Sequence, residues 1–215
     1  PFLLPARTSE KSPEDIIPSN VPAEVEPLIG RHRESRQVEA LLDNSRLVTL
    51  TGIGGVGKTR LATHLARGRA RQRDGEVWFL DLTEMVTTPQ EHFGSGERIA
   101  ALAVSVLGLS EHVPDTNNLQ RLCNALRSRT ALLVLDNCEH VISEATAFVT
   151  ELLHRAPEVK VLVTSREPLG LPAEHRFVVG TLETEPTEDG EIGGAVAFFI
   201  ARARAADPGF VLVGR

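Results

Sequence analysis

Eight consecutive residues, Gly52-Ile53-Gly54-Gly55-Val56-Gly57-Lys58-Thr59, follow the spacing G-x-x-x-x-G-K-[ST], and each residue type has a use against phosphate. Glycines let the backbone curl so that successive N–H groups face one anion, and a following helix adds the positive end of its dipole. The Lys58 ammonium has the reach for the β- and γ-phosphates of a nucleoside triphosphate, and the Thr59 hydroxyl can ligate Mg²⁺. Gly52, Gly54, Gly55, Val56, Gly57, Lys58, Thr59 and Arg60 therefore form the expected phosphate-binding set.

A second chemistry-bearing position lies about 80 residues downstream, where Leu132-Leu133-Val134-Leu135 ends in Asp136. Ligands of open α/β sheets bind outside the carboxyl ends of the strands. A phosphate loop of this kind needs an acid there to hold Mg²⁺, directly or through water. Asp136 is the candidate, with Thr59 as its partner at the metal. A third strand-like run, Val161-Leu162-Val163-Thr164-Ser165-Arg166, also ends in polar residues. Alone, Arg166 would be a surface arginine after a strand. With its tip expected beside the glycine loop, it is placed to meet a γ-phosphate and sense its loss. Lys58, Asp136 and Arg166 are thus the expected catalytic residues.

Asn137 departs from this scheme. Fast phosphate-loop ATPases commonly place a carboxylate directly after the metal-binding Asp, to orient or deprotonate the attacking water. An amide can position water but cannot accept its proton. Slow hydrolysis is the expectation, and Glu139 or another acid could substitute, although the sequence alone does not place it.

The elements that must hold these residues alternate between strand and helix. Helices are expected over residues 32–43, 58–72, 97–108, 117–128, 141–155 and 192–206. Strands are expected over 46–51, 77–81, 131–136, 159–164 and about 176–179. A turn at Asp74-Gly75, a polar loop through Pro114 and a stop at Asp207-Pro208-Gly209 punctuate them. Continuous aliphatic runs such as 131–135 are the mark of parallel strands buried on both faces. The expected fold is α/β, a mainly parallel five-stranded sheet with helices on both faces.

Bulk properties set outer limits. The 215 residues can bury a full core. The balance of 29 acidic against 23 basic residues, a net charge of −6, argues against direct nucleic-acid binding by this segment. No apolar run spans a membrane. Cys123 and Cys138 form no metal or redox pattern and read as buried thiols in a reducing cytoplasm. The histidines show no ligand spacing, Arg67, Arg69, Arg71 and Arg73 read as the solvated end of a helix, and Trp78 reads as core. Residues 1–27 carry six of the 13 prolines and read as an extended linker without a core of its own. The chain lacks an initial Met and a clear finish, and is expected to be an excised piece of something larger.

Nothing here matches the Asn-Lys-x-Asp segment with which GTPases read guanine, so ATP is favoured; small-molecule kinases usually carry an arginine-rich lid, and a strand ending in Thr164-Ser165-Arg166 is not their habit. Over residues 21–210 the motif series resembles the NB-ARC type of STAND ATPase. The elements are Leu28-Ile29-Gly30-Arg31, Gly52 to Thr59, Leu132 to His140, and Thr164-Ser165-Arg166-Glu167-Pro168-Leu169-Gly170. The last two strings are similar to the ATPase module of large bacterial transcriptional regulators, the Streptomyces antibiotic regulatory protein class and its LuxR-like relatives. This resemblance implies a P-loop NTPase fold, a three-layer αβα sandwich. It implies adenine against the backbone of Ile29 and Gly30, and Arg31 close to the nucleotide. His32 stands where relatives often carry an acid and is left out of the site.

The resemblance further implies a slow, regulatory ATPase using ATP/ADP and Mg²⁺, whose nucleotide state controls homo-oligomerisation and DNA binding through neighbouring DNA-binding and sensor domains. Residues 1–27 would then be a linker, 28–210 the nucleotide-binding module and 211–215 a tail. The Gly-Leu-Pro-Leu segment, winged-helix histidine and DNA-binding domain of such proteins are not in this sequence. A nucleotide-stabilised scaffold or oligomerisation module without turnover is the alternative, favoured by Asn137. A nucleotide-dependent phosphotransferase is a third reading, with no acceptor site visible.

Overall fold

A computed structural model describes residues 19–23, 26–72, 75–87, 96–109, 117–186 and 192–212. The elements in chain order are α1 (His32–Asn44), β1 (Leu47–Thr51), α2 (Lys58–Gln72), β2 (Glu76–Asp81), α3 (Glu97–Val106), α4 (Asn118–Leu126), β3 (Ala131–Asp136), α5 (Ile142–Arg155), β4 (Val159–Ser165), β5 (His175–Val178) and α6 (Gly194–Ala206). Two 3₁₀ turns, Thr83–Thr87 and Cys138–His140, follow the tips of β2 and β3.

The five strands form one sheet in the order β2-β3-β4-β1-β5. Every neighbouring pair is parallel, so the expected "mainly parallel" sheet is wholly parallel. All residues of β1 and β3 are buried, as sheets covered on both faces require. The period-two alternation divides them cleanly. Leu47, Leu133, Leu135, Val161 and Val163 face Ile99, Leu122, Phe148 and Leu152 of α3, α4 and α5. Val48, Leu50, Val134 and Leu162 face Val38, Leu42, Leu61 and Leu65 of α1 and α2. The result is three layers, αβα. Each buried aliphatic contributes roughly 1.5–3 kcal/mol relative to exposure, which makes the sheet a stiff platform for its carboxyl-end rim. β4 lies between β1 and β3, so the tips carrying Thr51, Ser165 and Asp136 stand side by side.

Boundaries move where local chemistry differs from periodicity. The helix expected to reach residue 108 ends at Val106, because Leu107 caps back on Ala103 and Gly108 turns left-handed at φ +61°. The last helix starts at Gly194 instead of residue 192, since Gly193 is extended. The loop through Pro114 and residues 1–18 lie outside the described residues.

From Ser19 the Pro-rich segment lies along the outer edge of β2. Ser19 bridges Val77 in parallel, and the Asn20 side chain brackets Phe79, accepting from its N–H at 2.7 Å and donating to its carbonyl at 2.8 Å. Val21 packs against the α1/α2 core. Arg67 and Arg69, expected to be solvated, are half-buried instead. Arg67 donates to the Pro22 carbonyl at 2.7 Å, and Arg69 joins α2 to α1 through Asp43 and the Glu39 carbonyl. The physical reason is that long basic side chains can lie along a packed surface while their heads find carbonyl and carboxylate acceptors.

Candidate functional site

The glycine loop connects β1 to α2, and Leu61 N–H closes the first helical bond on the Gly57 carbonyl at 3.0 Å. Three of its glycines, Gly52, Gly55 and Gly57, have positive φ. A side chain on Gly52 would begin 2.6 Å from the Val179 carbonyl oxygen, and Gly57 sits at φ +99°. Lys58 is buried, with Nζ donating to the Gly52 and Ile53 carbonyls at 2.8 and 3.0 Å. The ammonium therefore stays beside the loop instead of sampling solvent.

Thr59 Oγ1 donates to Asp136 Oδ1 at 2.9 Å, joining the start of α2 to the tip of β3 across 77 residues of sequence. The hydroxyl of Thr164, on the tip of β4, donates to the same oxygen and accepts from the Asn137 N–H at 3.1 Å. The Asn137 side-chain amide donates to Asp136 Oδ2 at 3.1 Å and to Thr83 Oγ1 at 2.8 Å. Every oxygen of Asp136 is thus engaged. Burial raises its pKa above the ordinary carboxylate value. The Thr164 and Thr59 hydroxyls oppose the shift, while the charges of Asp81 and Glu139 reinforce it.

This pair of oxygens suits a hard dication. Mg²⁺ binds through one or two carboxylates with phosphate and water completing the shell. Among the described residues no cluster of three or more His, Cys, Asp or Glu could hold a metal alone. Thr59 and Asp136 would hold the ion. They border a cavity of about 380 Å³ that is also lined by Arg60, Phe79 and Asp81.

Arg166 is mostly exposed at the mouth of the loop. Its Nε pairs with Glu139 Oε1 at 3.2 Å, and its Nη2 lies 3.5 Å from where a side chain on Gly54 would begin. Lys58, Thr59, Asp136 and Arg166 are accordingly brought together on one rim. Arg60 is not. Its guanidinium turns to the Pro27 carbonyl at 3.2 Å and to Glu26.

The leading Leu28-Ile29-Gly30-Arg31 string meets the loop from the other side. Arg31 is almost fully buried, donating to the carbonyls of Val56 at 2.9 Å and Gly180 at 2.7 Å and pairing with Glu34 at 2.7 Å. It tethers the start of α1 to the loop and to the end of β5. Gly30 packs so tightly on Gly194 that a side chain would begin 2.4 Å from the Gly194 Cα. Beside them opens a cleft of about 860 Å³, between the first turn of α1 and the segment after β5.

Three participants escaped the sequence. Asp81 ends β2 directly opposite Asp136 in register, and Thr83 and the Thr164 hydroxyl complete the network. Trp78-Phe79-Leu80-Asp81 has the same apolar-run-then-acid pattern as β3, which was the available signal. The two cysteines are buried and unpaired, as expected. Burial lifts the Cys123 thiol to about 11 and raises that of Cys138 further. No helix among the described residues is long and apolar enough to cross a membrane.

Known proteins resemble the chain in sequence and in fold. The sequence profile described as the NB-ARC domain matches residues 32–169. A Mycobacterium tuberculosis protein named as an HTH-type transcriptional regulator is 39% identical over 175 residues, covering 81% of this chain and 18% of its own length. The regulatory protein AfsR of Streptomyces coelicolor is 31% identical over 175 residues, covering 76% of this chain and 17% of its own. The chain thus spans under a fifth of the length of these regulators. Among solved structures, a signal transduction ATPase with numerous domains and a tetratricopeptide repeat sensor, from Pyrococcus horikoshii, superposes with a TM-score of 0.50. It is 18% identical, over 89% of this chain and 27% of that one. The ORC2 protein of Aeropyrum pernix also superposes at 0.50, with 16% identity over 77% and 50%. These two likenesses establish the fold, a three-layer αβα sandwich.

Proposed function

The chain belongs to the NB-ARC family of nucleotide-binding domains, and from that premise we propose that it is the ATP-dependent switch of a transcriptional regulator. ATP phosphates lie in the glycine loop, against its N–H groups and Lys58, with adenine toward Ile29 and Gly30. Thr59 and Asp136 hold Mg²⁺, which supplies charge neutralisation at the phosphates when bound. Arg31 acts by position, since its guanidinium is spent on Val56 and Gly180. Arg60 serves the strap at Glu26 and Pro27. Arg166 contacts the γ-phosphate and loses that contact on hydrolysis, so ATP and ADP favour different arrangements of attached domains.

The observation that carries this reading is the Thr59–Asp136 hydrogen bond with Arg166 over Gly54. One rim gathers a phosphate loop, a metal-type oxygen pair and a cation. The names of the relatives support regulation as the purpose; the proposed output is oligomerisation and DNA binding by neighbouring domains, in the cytoplasm. The module occupies residues 28–210, with 1–27 as a linker whose Ser19–Val21 stretch is laid on the β2 edge, and 211–215 as a tail. Calorimetric ATP binding with Lys58→Ala and Asp136→Ala is the test. Loss of affinity in both supports the site, and unchanged affinity in both sinks it.

A second reading, a nucleotide-stabilised scaffold without turnover, is favoured by Asn137, whose amide donors are directed at Asp136 and Thr83. Phosphate release that Lys58→Ala abolishes, measured on a longer form carrying the following domains, argues for the switch. Its absence argues for the scaffold.

A further inference from the structure

Asn137 cannot accept a proton, and the structure gives its amide another task. Its backbone is left-handed, φ +63° and ψ +45°, a conformation that asparagine tolerates better than longer side chains. Its Nδ2 bridges the tips of β3 and β2. The chain reversal it makes leads directly into the Cys138–His140 turn. That turn is anchored by the buried Cys138 and by Val141 N–H on the Cys138 carbonyl at 2.9 Å.

Glu139 stands in the middle of this anchored turn. Its side chain is only 13% exposed. One carboxylate oxygen pairs with Arg166, and the other, Oε2, is buried with no hydrogen-bond partner among the described residues. Buried acceptors of this kind are rare because leaving them unmade is costly, and those that persist ask for a functional account. Arg166 supplies the link to the loop. The same guanidinium touches Glu139 on one side and the Gly54 position on the other.

We infer that Glu139 is the carboxylate that orients the attacking water and takes its proton, and that Arg166 restrains it until a γ-phosphate draws the guanidinium away. This rests on the reading that ATP occupies the glycine loop. In the step, the water oxygen bonds to the γ-phosphorus while one water proton passes to Glu139. The bond from that phosphorus to the β,γ-bridging oxygen breaks, and its electron pair leaves with ADP. Inorganic phosphate departs and Glu139 returns its proton to solvent. Because ATP competes with Glu139 for Arg166 and ADP does not, the ion pair lowers affinity for ATP alone.

The test measures ATP and ADP binding by calorimetry with Mg²⁺ on the full chain, in the wild type, Glu139→Gln, Arg166→Ala and the double variant. Glu139→Gln keeps the side-chain shape and Arg166 is largely exposed, so circular dichroism should show a retained fold. Glu139→Gln is expected to raise ATP affinity about two- to fivefold with ADP affinity unchanged, and to do nothing once Arg166 is alanine. Phosphate release should fall on the order of 10²- to 10⁴-fold in Glu139→Gln, and Glu139→Asp should restore part of it. An unchanged ATP-to-ADP affinity ratio overturns the restraint, as does a rise that persists in Arg166→Ala. Wild-type release from Glu139→Gln, or no Lys58-dependent release from the wild type, overturns the proton-accepting role. Lys58→Ala separates the two levels. If it abolishes ATP binding while Glu139→Gln changes nothing, only the role of Glu139 fails. If it leaves ATP binding intact, the occupancy of the loop fails with it.

Discussion

Asp81 and Asp136 end adjacent parallel strands directly opposite one another, with one asparagine amide reaching toward both, yet their surroundings push them in opposite directions. At Asp136, burial outweighs the Thr164 and Thr59 hydroxyls, and its pKa is raised. At Asp81, burial is opposed by the Thr83 hydroxyl and amide and by Asn137, and the donors prevail, so its pKa is lowered. The difference lies in which strand the carboxylate ends. β3 is flanked by β2 and β4, while the tip of β2 opens to solvent. An interior strand tip holds a charge that is short of solvation and therefore has affinity to spare for a cation. An edge tip holds a charge already satisfied by its own turn.

The largest effect should separate the two by function. Asp136→Ala is expected to weaken Mg²⁺-dependent ATP binding about 10- to 100-fold, the range seen when a group that orients a metal site is lost. Asp81→Ala should change it less than about threefold, and calorimetry with and without Mg²⁺ reads both. Equal losses would erase the distinction.

Next in size is Thr164→Val. It removes one donor from the buried Asp136 carboxylate and the acceptor of the Asn137 N–H. A destabilisation of about 1–3 kcal/mol in urea unfolding is expected.

Stability against pH tests the electrostatic signs. A raised folded pKa means that the contribution of Asp136 favours the fold in acid and is lost as pH rises through that pKa. Asp136→Asn, with the Asn137 amide turned over to accept, should therefore be more stable than wild type at pH 7, on the order of 1 kcal/mol. That gap should close as pH falls through the carboxylate range. The lowered pKa of Asp81 contributes stability above its unfolded value, lost as pH falls through the folded one. Asp81→Asn should be slightly less stable at pH 7, by under about 0.5 kcal/mol given its exposure and screening. Gaps of the same sign would refute the contrast. The smallest effect should come from Asn137→Gly. There relief of the left-handed backbone offsets the lost amide bonds, and the unfolding midpoint should move by less than about 0.5 kcal/mol in equivalent stability.

The sheet was legible in the sequence because its signal is redundant. Four apolar runs each say the same thing, and the glycine loop fixes where the first strand ends. Asp136 and Arg166 were legible by position after such runs, and the order of strands put them beside the loop. Asp81 was not, although its run has the same form, because only tertiary placement tells an edge tip from an interior one. Arg31 and Arg60 show the limit more sharply. Proximity in sequence to a binding motif says nothing about where a long side chain turns, and both turn to backbone carbonyls. The Pro-rich composition of residues 1–27 masked the Asn20 bracket on Phe79, since a single side-chain amide copying a strand's hydrogen bonds leaves no periodic trace.

That bracket has a consequence for how the protein behaves in a tube. β2 is an outer strand, and an uncovered outer strand invites the edge of a second molecule. Ser19 and Asn20 occupy the bonding groups of Val77 and Phe79 that such a molecule would use. Cutting the chain at residue 27 would keep Lys58, Thr59, Asp136 and Arg166 but strip Pro22, Ala23 and Glu26 from the cavity wall, and it would make the protein prone to aggregate, with the stickiness arising at the strand farthest from β5.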